Sequence, residues 1–219
     1  QASGSTTCEA ARMALDLFPP VQSLLPGHIG EREALDLFAP VQSLLRGQIG
    51  EEEVERALDA KADPNHWKGP LTPLRCAVQA HHPGLLTLLL RRGADANLQD
   101  ARGVSPLHMA VFDGKSDCVQ LLLDGTGDAN LLDRHGQTPL FFAPTRGVCE
   151  LLIARWADVN VRNSKNQSPL HIAAHSGLND AVTWLVDATN TTTLDAQDSH
   201  GRTPLYYAGH SRVTSTISV

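Results

Sequence analysis

Apolar positions along the chain fall into a recurring two-part pattern. The tripeptide [Thr/Ser]-Pro-Leu begins at Thr72, Ser105, Thr138, Ser168 and Thr203, at spacings of 33, 33, 30 and 35 residues. Behind each of the first four lies a second apolar cluster: Leu88-Leu89-Leu90, Leu121-Leu122-Leu123, Leu151-Leu152-Ile153 and Trp184-Leu185-Val186. Three of these run into an Ala/Gly-Asp-Ala/Val-Asn ending, at Asn97, Asn130 and Asn160. Repetition at a near-constant period marks one supersecondary unit used again and again.

The chemistry of the tripeptide says how each unit begins. Proline costs nothing in the first helical turn, where its missing N–H would be unpaired anyway, and the preceding Ser or Thr can cap the helix. The pattern predicts a short inner helix over 107–112, a turn at Gly114 and an outer helix over 117–124. The segment Asp133-Arg134-His135-Gly136 then reads as a tight turn. One helix pair cannot bury its apolar face alone, so the units must stack. Leu107, Ala110, Val119, Leu122, Leu170, Ala173, Val182 and Leu185 are the expected core.

These residues resemble the ankyrin repeat family. Ser105-Pro106-Leu107-His108-Met109-Ala110 and Ser168-Pro169-Leu170-His171-Ile172-Ala173 are near-complete matches to its T-P-L-H-x-A signature. The resemblance implies an all-α helical solenoid of helix-turn-helix units joined by hairpin-like loops, over residues 51–219. It also implies partner binding through the turn tips and the exposed flank of the inner helices, a concave surface in such stacks. Departures stand out against that pattern. Pro144 falls where an inner helix should end and predicts a kink or a shortened helix. Trp156 replaces the Gly that Gly93 supplies, which predicts an outer helix without its left-handed terminator and an exposed or interfacial indole. The β-branched run 189–193 predicts a bulging loop.

The first 50 residues follow another rule. Segments 14–33 and 34–53 agree at 16 of 20 positions, a tandem duplication read as an N-terminal extension of two short helical segments per copy. It is either a cap or a docking peptide, and Phe18 and Phe38 are then a second candidate surface. Residues 51–60 look like the outer helix of an incomplete first repeat. The fifth repeat stops before its second helix.

Composition narrows function. The chain has 219 residues, a net charge of −6 and 5% aromatics, which disfavours an all-β core and bulk binding of nucleic acid. No apolar run approaches the ~20 residues needed to cross a bilayer, so membrane contact is expected only through an assembly. Cys8, Cys76, Cys118 and Cys149 are widely spaced, which reads as reduced thiols in an intracellular setting, cytoplasmic or organellar. Gln1 in place of Met implies a fragment or processed product whose targeting segment is not visible. No phosphate loop, nucleophile elbow or zinc-binding His pair occurs, so neither a catalytic site nor a metal or other cofactor is expected. His108 and His171 read as structural.

The expected function is therefore non-catalytic protein binding, as a module or scaffold, the alternative being an accessory structural subunit of a larger assembly. Carrying the family's surface over position by position selects Arg102, Val104, Phe112 and Asp113, then Arg134, His135 and Gln137. Lys165, Gln167 and His175 follow, then His200 and Arg202 with Ser199 and His210, while Leu71 and Gln79 are weaker equivalents. The turn acids Asp100, Asp133 and Asp198 are expected to be tied to backbone N–H groups. Arg102, Arg134, Lys165 and Arg202 would then form a basic strip facing a protein partner with an acidic patch.

Overall fold

The computed structural model describes residues 36–189 and 194–210. The first copy of the duplication with Phe18, Cys8, most of the expected 189–193 bulge and the segment after His210 lie outside the described residues. Regular structure in the described residues is helical: α1 Phe38–Leu45, α2 Glu51–Asp59, α3 Pro73–Gln79, α4 Pro83–Arg91, α5 Pro106–Phe112, α6 Ser116–Asp124, a 3-10 turn Pro139–Phe142, α7 Arg146–Ile153, α8 Pro169–Ser176, α9 Asn179–Ala188 and α10 Pro204–His210. An isolated antiparallel bridge joins Lys68 and Leu71. The fold class is an all-α solenoid of helix-turn-helix repeats. Every [Thr/Ser]-Pro step starts a helical element, as its chemistry requires.

The residues group into two compact units. The first holds the described part of Pro20–Ala110 together with Asp117–Asp128. Thr72 caps α3 by accepting the Arg75 N–H at 3.3 Å, and α4 starts with the His82 ring accepting the Leu85 N–H at 3.0 Å. Leu74, Leu85, Leu89, Leu107 and Leu122 are fully buried, and truncating one such leucine to alanine costs ~2–5 kcal/mol. Helix α1 packs on α2 and α3. Pro40 does not break α1, because it sits in the first turn, where no intrahelical bond is lost. Phe38 is only 1% exposed.

The second unit holds Val111–Ser116 and the described part of Ala129–Val219. Here Pro144 has the predicted effect. It forces Ala143 to extended backbone (φ −63°, ψ 117°), and the inner element is a four-residue 3-10 turn. Trp156 departs from expectation. It keeps the left-handed turn at φ 64° without glycine, as Lys61 and Thr126 do at the equivalent helix ends. At Thr126 and Trp156 a repeated asparagine clamp accounts for this. Asn65 bonds the Gly93 carbonyl and Asp95 N–H, Asn97 the Thr126 carbonyl and Asp128 N–H, and Asn130 the Trp156 carbonyl and Asp158 N–H, at 2.7–3.2 Å. Each clamp holds the next left-handed corner from both sides, so a non-glycine residue is retained there despite its strain.

Candidate functional site

The turn tips share one internal design. Asp100, Asp133, Asn163 and Asp198 each accept the backbone N–H groups two and four residues ahead, at 2.8–2.9 Å. Their own N–H bonds the carbonyl four residues on. The residue three ahead takes positive φ, which Gly103, Gly136 and Gly201 adopt freely and Asn166 tolerates. Successive tips in the second unit are tied together by Ser164 N–H to the His135 carbonyl at 2.8 Å and Ser199 N–H to the Lys165 carbonyl at 2.9 Å.

Turning these carboxylates inward has an electrostatic result. At Asp198 burial raises the pKa, but the N–H groups of Arg202 and His200 and the Tyr207 hydroxyl outweigh it and bring it down to about 2. The acids are spent on the backbone. Arg134, His135, Lys165, His200 and Arg202 are left on the exposed outside, and His175 is exposed on α8.

The expected site residues do not all share that surface. Val104 is 2% exposed and Gln167 is buried, so neither presents a side chain to a partner. Val104 lies four residues beyond the turn acid Asp100 and Gln167 four beyond the turn amide Asn163, where both side chains are buried. There the Gln167 amide receives Asn163 Nδ2 at 3.1 Å and donates to the Tyr207 hydroxyl at 3.0 Å. Phe112 is half-buried, its ring edge-on to Phe142 at 6.5 Å, rather than open to solvent. Asp113 is exposed and pairs with Lys115 at 2.7 Å. Gln137 is half-buried, and Arg102 is partly covered with Nε 3.8 Å from Asp100. Phe38 is buried and unavailable as a second docking anchor. The expected basic strip also mixes registers: Arg102 and Lys165 lie two residues past the turn acid or amide, Arg134 one and Arg202 four.

Sequence reasoning passed over Arg75, which takes the place of the signature histidine. Its guanidinium is buried, with Nη1 on the Val104 carbonyl at 2.7 Å and Nη2 on Asp100 at 3.1 Å. His171 makes the corresponding link to the Arg202 carbonyl at 3.2 Å. The Ser168 N–H donates to His171 Nδ1 at 3.1 Å, which leaves the proton on Nε2 to donate across. The signal for Arg75 was present in sequence, a lone cation on a largely apolar inner helix 25 residues before a turn acid.

Other chemistry is sparse among the described residues. No group of His, Cys, Asp and Glu is arranged to hold a metal ion, and no helix is long and apolar enough to cross a membrane. Burial pushes the Cys76 thiol up to about 11 and that of Cys149 to about 12, away from nucleophilic thiolate.

Comparison with known proteins agrees with the repeat geometry. The family profile described as ankyrin repeats (3 copies) matches residues 74–163 and 144–217. NF-kappa-B inhibitor alpha from Rattus norvegicus and from Mus musculus each share 46% identity over 43 residues. That match spans 20% of this chain and 14% of each relative. Repeats of this kind are generally protein–protein interaction modules and typically non-enzymatic. With the profile running from 74 to 217 across tips built to one plan, the chain belongs to the ankyrin repeat family.

Proposed function

We propose that the chain is a non-catalytic interaction module that holds a protein partner with an acidic patch against its turn tips. One observation carries this reading. Three successive tips of the second unit turn their acid or amide inward, and Arg134, His135, Lys165, His200 and Arg202 face outward from a chain of net charge −6. Local positive charge on an acidic protein steers an acidic partner into register. The partial relatives are named as inhibitors of NF-kappa-B, which supports partner binding as the class of activity. Buried thiols at Cys76, Cys118 and Cys149 suit an intracellular setting, cytoplasmic or organellar. Arg102 on the first unit and the half-buried edge of Phe112 are the remaining candidates for contact.

The second reading, an accessory subunit held in a larger assembly, draws support from the exposed Leu205 and Trp156. One experiment separates the two. The immobilised chain is used to capture partners, which are identified by mass spectrometry, and the purified partner is then titrated against wild type and Arg134→Glu/Lys165→Glu. A module predicts a monomer in sedimentation and an association rate at least ~10-fold slower in the variant, with a shallower salt dependence. An insoluble chain, or a partner indifferent to both reversals, overturns the module.

A further inference from the structure

Helix α1 comes from the second of two near-identical segments, and its contacts show what its seat demands. Leu37, Phe38, Val41 and Leu44 are buried where α1 packs on α2 and α3. Asp36 closes the entry to the helix: its Oδ1 accepts the Phe38 N–H at 2.8 Å and its Oδ2 accepts Lys68 Nζ at 3.0 Å. The same Nζ lies 5.8 Å from the Phe38 ring centroid, and His66 meets that ring edge-on at 6.5 Å. The seat therefore selects one pattern, Asp-Leu-Phe-x-x-Val-x-x-Leu.

Residues 16–24 carry that pattern unchanged. Asp16, Leu17, Phe18, Val21 and Leu24 stand in the first copy where Asp36, Leu37, Phe38, Val41 and Leu44 stand in the second. The copies differ only where the second has Ala39, Arg46, Gln48 and Glu52 and the first has Pro19, Pro26, His28 and Arg32, and those four second-copy residues are all exposed. No buried position of the seat is altered. The two prolines set an order of preference: Pro19 disfavours helical backbone at Phe18, and Pro26 lacks the N–H that Arg46 donates to the Gln42 carbonyl at 3.1 Å.

We infer that the seat of α1 on α2 and α3 is a binding site for either copy, with residues 16–25 of the same chain as its second occupant. The second copy is the resident. With the first copy seated, the connection to α2 runs over 26–50 instead of 46–50, 25 residues in place of five, which lowers its population roughly 10-fold. Only the segment before Glu51 rearranges in this exchange, because α2 and every later element keep their places. The tether also favours the chain's own segment over that of a second chain, which would have to match an effective concentration on the order of millimolar. Whatever draws Leu37 and Phe38 out of the stack leaves α2 and α3 covered by the first copy. The duplication is thus an exchangeable seal.

The test follows amide exchange over α2 and α3 in the full chain, since α1 covers both. Leu37→Ser/Phe38→Ser removes the resident, Leu17→Ser/Phe18→Ser removes the reserve, and the combined variant removes both. Expected are unchanged protection without the reserve, a loss of roughly 10-fold without the resident, and at least ~10-fold further loss in the combined variant. Equal exchange in the resident variant and the combined variant overturns the proposal. A second measurement uses a fluorescein-labelled peptide of residues 14–26, titrated by fluorescence anisotropy. It should bind the combined variant at least ~10-fold more tightly than it binds wild type, whose seat is filled, and at least ~10-fold more tightly than its own Phe18→Ser form does. No binding, or binding indifferent to Phe18, overturns the seat as the site. If the resident variant is protected only at high chain concentration and sediments as a dimer, the first copy seats in a second chain and exchange within one chain falls.

Discussion

Arg75 and His171 solve one problem with different side chains, that of linking an inner helix to a carbonyl of the following turn. The imidazole does it with one bond, while the guanidinium adds an ion pair to Asp100 in a setting where both groups are 2–5% exposed. Burial lowers the Arg75 pKa, and Asp100 opposes that shift by compensating the buried positive charge. Arg75→Met should therefore cost up to ~3–5 kcal/mol by leaving the buried Asp100 carboxylate without its paired cation. Arg75→Met/Asp100→Asn should cost less than the sum of the single changes, as urea unfolding would show. Trp156 presents the opposite case, a side chain the fold would do without. A left-handed L-residue carries ~1–2 kcal/mol of strain, and an indole 88% exposed buries little in return. Trp156→Gly should be stabilising by ~0.5–1 kcal/mol, the relieved strain less the added freedom of an unfolded glycine. Unchanged or lower stability in urea would mean the indole makes contacts that matter. Asn130→Ala, which removes both ends of the clamp, should destabilise and should cost less in the Trp156→Gly background.

Among the elements, the 3-10 turn Pro139–Phe142 is where the stack has least to hold it. Four residues cannot present the two-turn apolar face that α8 offers, and Thr138 Oγ1 and Asp133 Oδ2 are buried without a hydrogen-bond partner. Local opening should concentrate there. Amide exchange across 138–155 should be at least ~10-fold faster than across 168–187, and equal protection in the two segments would remove the weak link. The position of this element could be read from Pro144, because proline acts on the backbone before any tertiary contact is made. The same holds for every [Thr/Ser]-Pro start. What sequence hid was decided by neighbours. Val104, Gln167 and Arg202 share one register, yet the first two are buried and the third exposed, and at Gln167 the cover includes Tyr207 of the following repeat. Helix α1 lacks the signature altogether. Its duplicated sequence drew attention to copying, whereas the burial of Leu37, Phe38 and Val41 against its neighbours makes it part of the stack.

At the scale of the whole molecule, acid stability gathers the buried titrations into one measurable curve. Burial pushes the His171 imidazole below its ordinary 6.5, and its bond to the Arg202 carbonyl opposes that only in part. A base with a lowered native pKa binds fewer protons folded than unfolded, so stability is full above pH 6.5 and falls as pH drops toward the native value. Asp198 acts in the same direction further down. Its native value of about 2, against 3.8 when free, means its contribution is present above 3.8 and is lost as pH falls toward 2. The midpoint of urea unfolding should therefore be flat from pH 8 to about 6.5 and then fall in two stages. His171→Gln should remove most of the slope His171 contributes below 6.5, and Asp198→Asn should lower stability at neutral pH while flattening the region between 4 and 2. Asp198 raises the His171 pKa through its charge, so the two groups are coupled and His171→Gln/Asp198→Asn completes the comparison. A His171→Gln curve parallel to wild type between pH 6.5 and 5 would show that the buried imidazole accepts its proton without cost, and that the link to Arg202 survives protonation because Nε2 remains a donor in either state.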